Sequence, residues 1–117
     1  MVLPTINPTQ TIAWQKIQLH FEKMQQSVMK ELFASDENRA EKFHIQWNDF
    51  LLDYSKNIVN QETISLLVNL ANEVQLKEAI SKYFQGDIIN QTENRAVLHT
   101  ALRAKESDKV VIDGVNV

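Results

Sequence analysis

Cysteine is absent from the 117 residues. Its absence excludes disulfides, thiolate nucleophiles and cysteine-ligated zinc or iron–sulfur centres. Glycine and proline occur only twice each, too rarely for a flexible linker or a collagen-like repeat. Long apolar runs are also missing. The longest are three residues, as in Phe50-Leu51-Leu52 and Val110-Val111-Ile112, against about 20 for a membrane-spanning helix. No basic excess exists: 12 Lys+Arg against 15 Asp+Glu leave a net charge of −3. Without a basic cluster, a broad nucleic-acid surface is not expected. Met1-Val2-Leu3-Pro4 lacks the basic and apolar stretches of a signal peptide, so neither membrane nor secretion is expected and the default address is the cytoplasm. The 44% hydrophobic and 23% charged residues that are present match an ordinary globular composition.

Periodicity then predicts mostly helices. Asn7-Pro8 reads as a helix start, because Asn caps well and Pro at the first helical position loses no hydrogen bond. Ala13, Ile17, Phe21, Met24 and Val28 follow at helical spacing, with a break expected near Gln25–Ser27. Val28, Leu32 and Phe33 continue a shorter helix, and Ser35 or Asp36 caps a brief turn of helix to Lys42. From Phe43 the period becomes two. His44–Trp47 and Phe50–Tyr54, separated by Asn48-Asp49, read as a short β-hairpin. Asn60 is the next N-cap, before a stripe of Ile64, Leu67, Val68 and Ala71. After a polar joint at Asn72-Glu73, Leu76, Ala79, Ile80, Tyr83 and Phe84 form a second stripe, ended by Gly86 as a left-handed C-cap. Asn90 and Glu93 offer a variant capping box for a final helix carrying Val97, Leu98, Ala101 and Leu102. Lys109–Ile112, Asp113-Gly114 and Val115–Val117 read as a hairpin whose return strand is cut short. The expected fold is α+β and mostly helical: one unit over 1–117, with a short β-hairpin and a terminal strand or partial hairpin.

Three clusters carry chemistry. His20 has no second ligand three or four residues away and reads as a boundary residue of the first helix, not a metal ligand. Asp53-Tyr54-Ser55-Lys56-Asn57 sets an acid, a phenol, a hydroxyl and an ammonium in five residues. It reads either as a polar functional loop at a strand end or as a turn whose side chains serve the local backbone. Arg95, His99 and Arg103 fall on one face of the expected final helix. Arg95 would then sit in the first turn, where the helix dipole disfavours a cation, so it needs an anionic partner: a carboxylate of the fold or a bound anion.

Ile88-Ile89-Asn90-Gln91-Thr92-Glu93-Asn94-Arg95-Ala96-Val97-Leu98-His99-Thr100-Ala101-Leu102-Arg103 closely resembles a signature of the phosphoglucose isomerase family. Asp53–Asn57 is similar to that family's strand-end motif at the expected distance upstream. Ile6-Asn7-Pro8-Thr9-Gln10-Thr11, with Trp14, His20 and Phe21, resembles its bacterial N-terminus. Asp113-Gly114 falls where the family has a β-hairpin. The resemblance covers the chain from Ile6 to Val117.

The resemblance implies an aldose–ketose isomerase that interconverts glucose 6-phosphate and fructose 6-phosphate in glycolysis and gluconeogenesis, without cofactor or metal. It implies general acid–base proton transfer through a cis-enediol, with electrostatic support of the developing charge, in a cytoplasmic homodimer. Members of the family run to several hundred residues and carry their catalytic and phosphate-binding groups in two α/β sugar-isomerase domains that this sequence does not reach. No catalytic, substrate-binding or metal residue is therefore assigned, and the 117 residues alone are expected to be inactive. Lys56, Arg95 and His99 match the family's signatures and are expected to pack this region against the later domains or to sit at the rim of the active site. The sugar phosphate is a partner of the full-length enzyme only; neither nucleic acid nor membrane is expected. The alternative is a stand-alone, non-catalytic helical interaction module.

Overall fold

The computed structural model describes residues 3–112 and 114–116. It is an α+β chain rich in helix, with short antiparallel hairpins. The fold divides into two compact units: Pro8–Leu70, and the described residues of Met1–Asn7 with Ala71–Val117.

The unit Pro8–Leu70 opens one turn later than the sequence suggests. Pro8–Gln10 form a 3-10 turn, and α1 runs over Ile12–Met24. Thr11 is the cap: its hydroxyl accepts from the Trp14 N–H at 3.1 Å and donates to the Pro8 carbonyl at 2.6 Å. Pro8 lacks an N–H, and it supplies the carbonyl that fixes the capping hydroxyl. The expected break follows, and α2 resumes at Met29–Ala34. Arg39–Lys42 form the single turn α3, entered through Asp36, whose carboxylate accepts from the Asn38 N–H at 3.0 Å.

The hairpin is present with the expected strands and turn. Strands β1 (His44–Trp47) and β2 (Phe50–Asp53) pair antiparallel with Ile45 opposite Leu52 and Trp47 opposite Phe50. Asn48 takes a positive φ of 50°, a conformation that asparagine enters more readily than most residues. That explains a two-residue turn without glycine. The next helix, α4 (Gln61–Glu73), begins with a reciprocal cap. Asn60 Oδ1 accepts from the Thr63 N–H and Thr63 Oγ1 accepts from the Asn60 N–H, both at 3.0 Å. This is a capping box with threonine in the place of the usual acid.

In the other unit, α5 (Leu76–Gln85) follows a left-handed Gln75 with φ 59°. Gly86, with φ 77°, closes it. The Gly86 N–H reaches the Tyr83 carbonyl at 3.4 Å and the Asp87 N–H reaches the Lys82 carbonyl at 3.1 Å, the paired bonds of a Schellman ending. Beyond it, the expected final helix is not formed. Asn90 and Arg95 exchange backbone hydrogen bonds at 3.1 and 3.2 Å as an antiparallel bridge. Residues 96–98 are non-helical and only Ala101–Arg103 make a 3-10 turn. The cap contacts exist, since Glu93 N–H donates to Asn90 Oδ1 at 3.2 Å. A left-handed Asn94 (φ 52°) then turns the backbone out of helical register. Strands β3 (Val111–Ile112) and β4 (Val115–Asn116) pair across Gly114, φ 79°; Asp113, the other turn residue read from the sequence, lies outside the described residues.

Among the described residues the buried apolar set is small: Ala13 and Phe43. Buried polar groups outnumber it, with Thr11, His20, Arg39 and Ser55 all inside the unit Pro8–Leu70. Half of the apolar stripe residues are exposed, including Phe21 on α1, Leu67 on α4 and Phe84 on α5.

Candidate functional site

The loop after β2 is held from below by one side chain. Arg39, 3% exposed, donates from Nε to the Ser55 carbonyl at 2.8 Å. One terminal nitrogen donates to the Asn57 carbonyl at 2.8 Å, the other to the Val59 carbonyl at 2.9 Å. No acidic side chain pairs with it among the described residues. Its charge rests instead on carbonyl dipoles and on two aromatic faces, with Phe43 4.8 Å and Phe33 5.5 Å from the guanidinium carbon. Cation–π attraction of this kind strengthens when the cation is desolvated. Phe43 in turn meets Tyr54 edge to face at 5.8 Å, and the Tyr54 N–H donates to the Phe43 carbonyl at 3.0 Å.

Within the loop, Ser55 is buried and Lys56 and Asn57 are exposed. The Ser55 hydroxyl, then its N–H, draw the Asp53 carboxyl below the ordinary aspartate range. The loop therefore combines both readings of its sequence. Asp53 serves the local backbone, as a turn requires, by accepting from the Ser55 N–H at 2.9 Å, and the Ser55 hydroxyl bonds the same carboxyl, while exposed Lys56 stands on a backbone held at three carbonyls.

His20 departs from its expected boundary position. It is 5% exposed, with Nε2 2.7 Å from Thr63 Oγ1. Nδ1 lies 3.4 Å from a Glu62 carboxylate oxygen but makes no hydrogen bond. Thr63 thus joins the cap of α4 to the inner face of α1. The reason is local: the ring lies one position from the apolar stripe, and the polar N-terminal turn of α4 lies within reach to accept it. His44 sits in β1 with Nδ1 3.0 Å from the Ala40 carbonyl.

The signature residues of the second unit meet around an open hollow. Asn90, Arg95, Val97, Leu98, His99 and Leu102 line a cavity of about 400 Å³. Arg95 and His99 both reach it, although they do not share a helical face with Arg103, because no helix forms there. The anionic partner expected for Arg95 is the Glu93 carboxylate, 2.8 Å from Nε. Glu93 also accepts from Asn90 Nδ2 at 3.2 Å. The pair is exposed, so its electrostatic contribution is small. Gln91 anchors the start of the chain to this loop by donating to the Leu3 carbonyl and receiving the Thr5 hydroxyl. Lys56 belongs to the other unit and has no part in this hollow. An open, mostly apolar hollow with one arginine already paired can hold a polar group at its rim. It contains no adjacent acid and base positioned for proton transfer at carbon.

Among the described residues no group of three or more His, Asp or Glu side chains is placed to hold a metal ion. No helix there is long and apolar enough to cross a membrane. Arg39 was not apparent as a site residue in the sequence. Its only signal is Phe33 and Phe43 on either side, which becomes informative once the turn at α3 is known.

Comparison with known proteins gives the context of these motifs. Residues 53–117 match the family model described as phosphoglucose isomerase. A glucose-6-phosphate isomerase of Christiangramia forsetii is 50% identical over 115 residues, which are 98% of this chain and 21% of the relative. The chain spans about one fifth of the length of that curated relative. The matched span includes the Asp53–Asn57 loop and the Asn90–Arg95 bridge. On that match, this chain belongs to the phosphoglucose isomerase family.

Proposed function

We propose that these 117 residues are the N-terminal part of a glucose-6-phosphate isomerase that works in the cytoplasm as a homodimer, without cofactor or metal. The complete enzyme interconverts glucose 6-phosphate and fructose 6-phosphate by moving a proton between C1 and C2 through a cis-enediol. The catalytic base, the ring-opening groups and the phosphate cradle belong to the part of the relative's length that this chain does not span. Supporting this reading is the identity of 50% across 98% of the chain against only 21% of the relative. In this assignment Lys56, Arg95 and His99 are contact residues for the rest of the enzyme: each is exposed, and each lies on a loop held by hydrogen bonds rather than in a catalytic pair.

The test is isomerase turnover in a coupled assay, on the 117-residue chain and on the product of its complete reading frame. Turnover by the longer product and none by the 117 residues is the expected result. Turnover by the 117 residues would refute the placement of the chemistry. A reading frame that stops at Val117 would favour the stand-alone interaction module.

A further inference from the structure

His20 is a buried titratable group where α1 meets the start of α4, and its surroundings fix where its protons go. Its ring is 5% exposed, and Nε2 lies 2.7 Å from Thr63 Oγ1. That oxygen accepts the Asn60 N–H at 3.0 Å and lies 3.0 Å from Asn60 Oδ1, which accepts the Thr63 N–H. A hydroxyl has one proton to give and two lone pairs. Thr63 therefore donates either to His20 Nε2 or to Asn60 Oδ1. On the other side of the ring, Nδ1 is buried without a hydrogen bond and faces the Glu62 carboxylate at 3.4 Å. A bare lone pair there would stand unsatisfied against a negative charge, whereas an N–H is attracted to it. Glu62 thus places a proton on Nδ1.

With Nδ1 protonated, two arrangements remain. In the neutral ring Nε2 is an acceptor and takes the Thr63 hydroxyl proton. In the imidazolium Nε2 is a donor, so the hydroxyl must turn and give its proton to Asn60 Oδ1. We infer that His20 and Thr63 form a proton-operated switch at the start of α4. Protonation of the ring reverses the Thr63 hydroxyl, which passes from a bond to α1 to a bond within the helix cap. The ring takes one proton from solvent and one positive charge with it; the hydroxyl keeps its own proton and only rotates. The Asn60 N–H stays on Thr63 Oγ1 in both states, so the cap keeps that bond throughout. Glu62 faces the new charge from α4. On α1 itself, exposed Lys16 and Lys23 stand one turn to either side of His20. Arg39 of α3 is bonded to the Val59 carbonyl, one residue before the cap. All of these groups belong to the unit Pro8–Leu70, and the switch is independent of the isomerase reading.

Nitrogen-15 NMR of the 117-residue chain between about pH 5 and 8, the range in which histidine changes charge, tests it. At the alkaline end His20 Nδ1 should read as protonated and Nε2 as bare. On acidification Nε2 should gain its proton, and the Asn60 and Thr63 amide resonances should shift with the same midpoint as the ring. Thr63→Ser keeps the hydroxyl and should keep this coupling. Thr63→Val keeps the shape without the hydroxyl and should lose most of the amide shift. The readings on the parent chain decide the matter even where Thr63→Val fails to fold. A neutral ring protonated at Nε2 overturns the proposal. So do cap amides that hold still while His20 titrates, or a ring that keeps one protonation state throughout. A folded Thr63→Val chain whose cap amides follow the ring as in the parent overturns it as well.

Discussion

At the scale of single residues, the side chain that organises most of its surroundings is Arg39. Three backbone carbonyls of residues 55–59 are satisfied by one guanidinium. Removing a buried donor costs the desolvation of every acceptor it leaves. Arg39→Ala should therefore lower unfolding free energy by about 3 kcal/mol, read as a fall in the urea midpoint. Arg39→Lys should recover only part of it, because an ammonium cannot span the fork. The Asp53 and Asp36 carboxyls give a pH signature. Asp53 is held down chiefly by the Ser55 hydroxyl, and Asp36 chiefly by its hydrogen bond from Lys42. A lowered folded-state pKa contributes stability that is present above the ordinary aspartate value of 3.8 and is lost as pH falls through the folded value. The stability that these two carboxyls contribute should be constant above about pH 4 and be lost below it, read as an acid-side fall in the thermal midpoint. Ser55→Ala should remove the hydroxyl's part of the Asp53 share of that acid dependence and leave the part held by the backbone N–H. The Asp53–Asn57 turn was legible in the sequence because the Asp53 carboxylate bonds a backbone N–H only two residues away. Arg39 was not, because its three acceptors lie 16 to 20 residues along the chain.

At the scale of elements, caps and breaks followed local chemistry closely. The hairpin and its Asn48-Asp49 turn, the start of α4 at Asn60 and the end of α5 at Gly86 were all readable, since each depends on residues within one turn. Gly86 also carries a constraint from farther away. A Cβ there would run into Ile112 Cδ1 and touch Leu98 Cδ2 at 3.4 Å. Gly86→Ala should destabilise by about 1–2 kcal/mol from the left-handed backbone alone, and further as Ile112 is displaced. Thermal melts that place Gly86→Ala level with the parent would contradict the packing of Ile112 on α5. The helix start was misplaced by one turn, because Asn7-Pro8 and Thr11 both carry capping chemistry and only the backbone chooses between them. The helix expected after Asn90 failed for a different reason. Short helices are marginal in water without packing, and here the Asn90–Arg95 bridge and the left-handed Asn94 satisfy the same backbone groups another way.

At the scale of the whole molecule, burial is the limiting quantity. Ala13 and Phe43 are the buried apolar residues among those described, while Phe21, Trp47, Phe50, Leu51, Phe84 and Leu102 are more than 60% exposed. Apolar surface on that scale marks contact sites, as expected of a chain that spans 21% of its relative. The absence of turnover proposed for the 117 residues rests on the same balance. General acid–base chemistry needs a base within hydrogen-bond reach of the proton it takes, in a site that orients the substrate. The hollow around Arg95 and His99 is open and lined by no carboxylate, and the nearby Glu93 is engaged with Arg95.

Sequence by itself determined the α+β character, the positions of the breaks, the hairpin register and the family, because each is written in short spacings or in strings of neighbouring residues. Only the tertiary structure decided that His20 and Arg39 are buried, that Arg95 pairs with Glu93 beside a hollow shared with His99, and that residues 96–98 are not helical. The burials depend on which distant groups arrive to satisfy a hydrogen bond or cover a side chain, and the turn at Arg95 on which of two competing local arrangements satisfies the same backbone groups; no spacing of residue types records either.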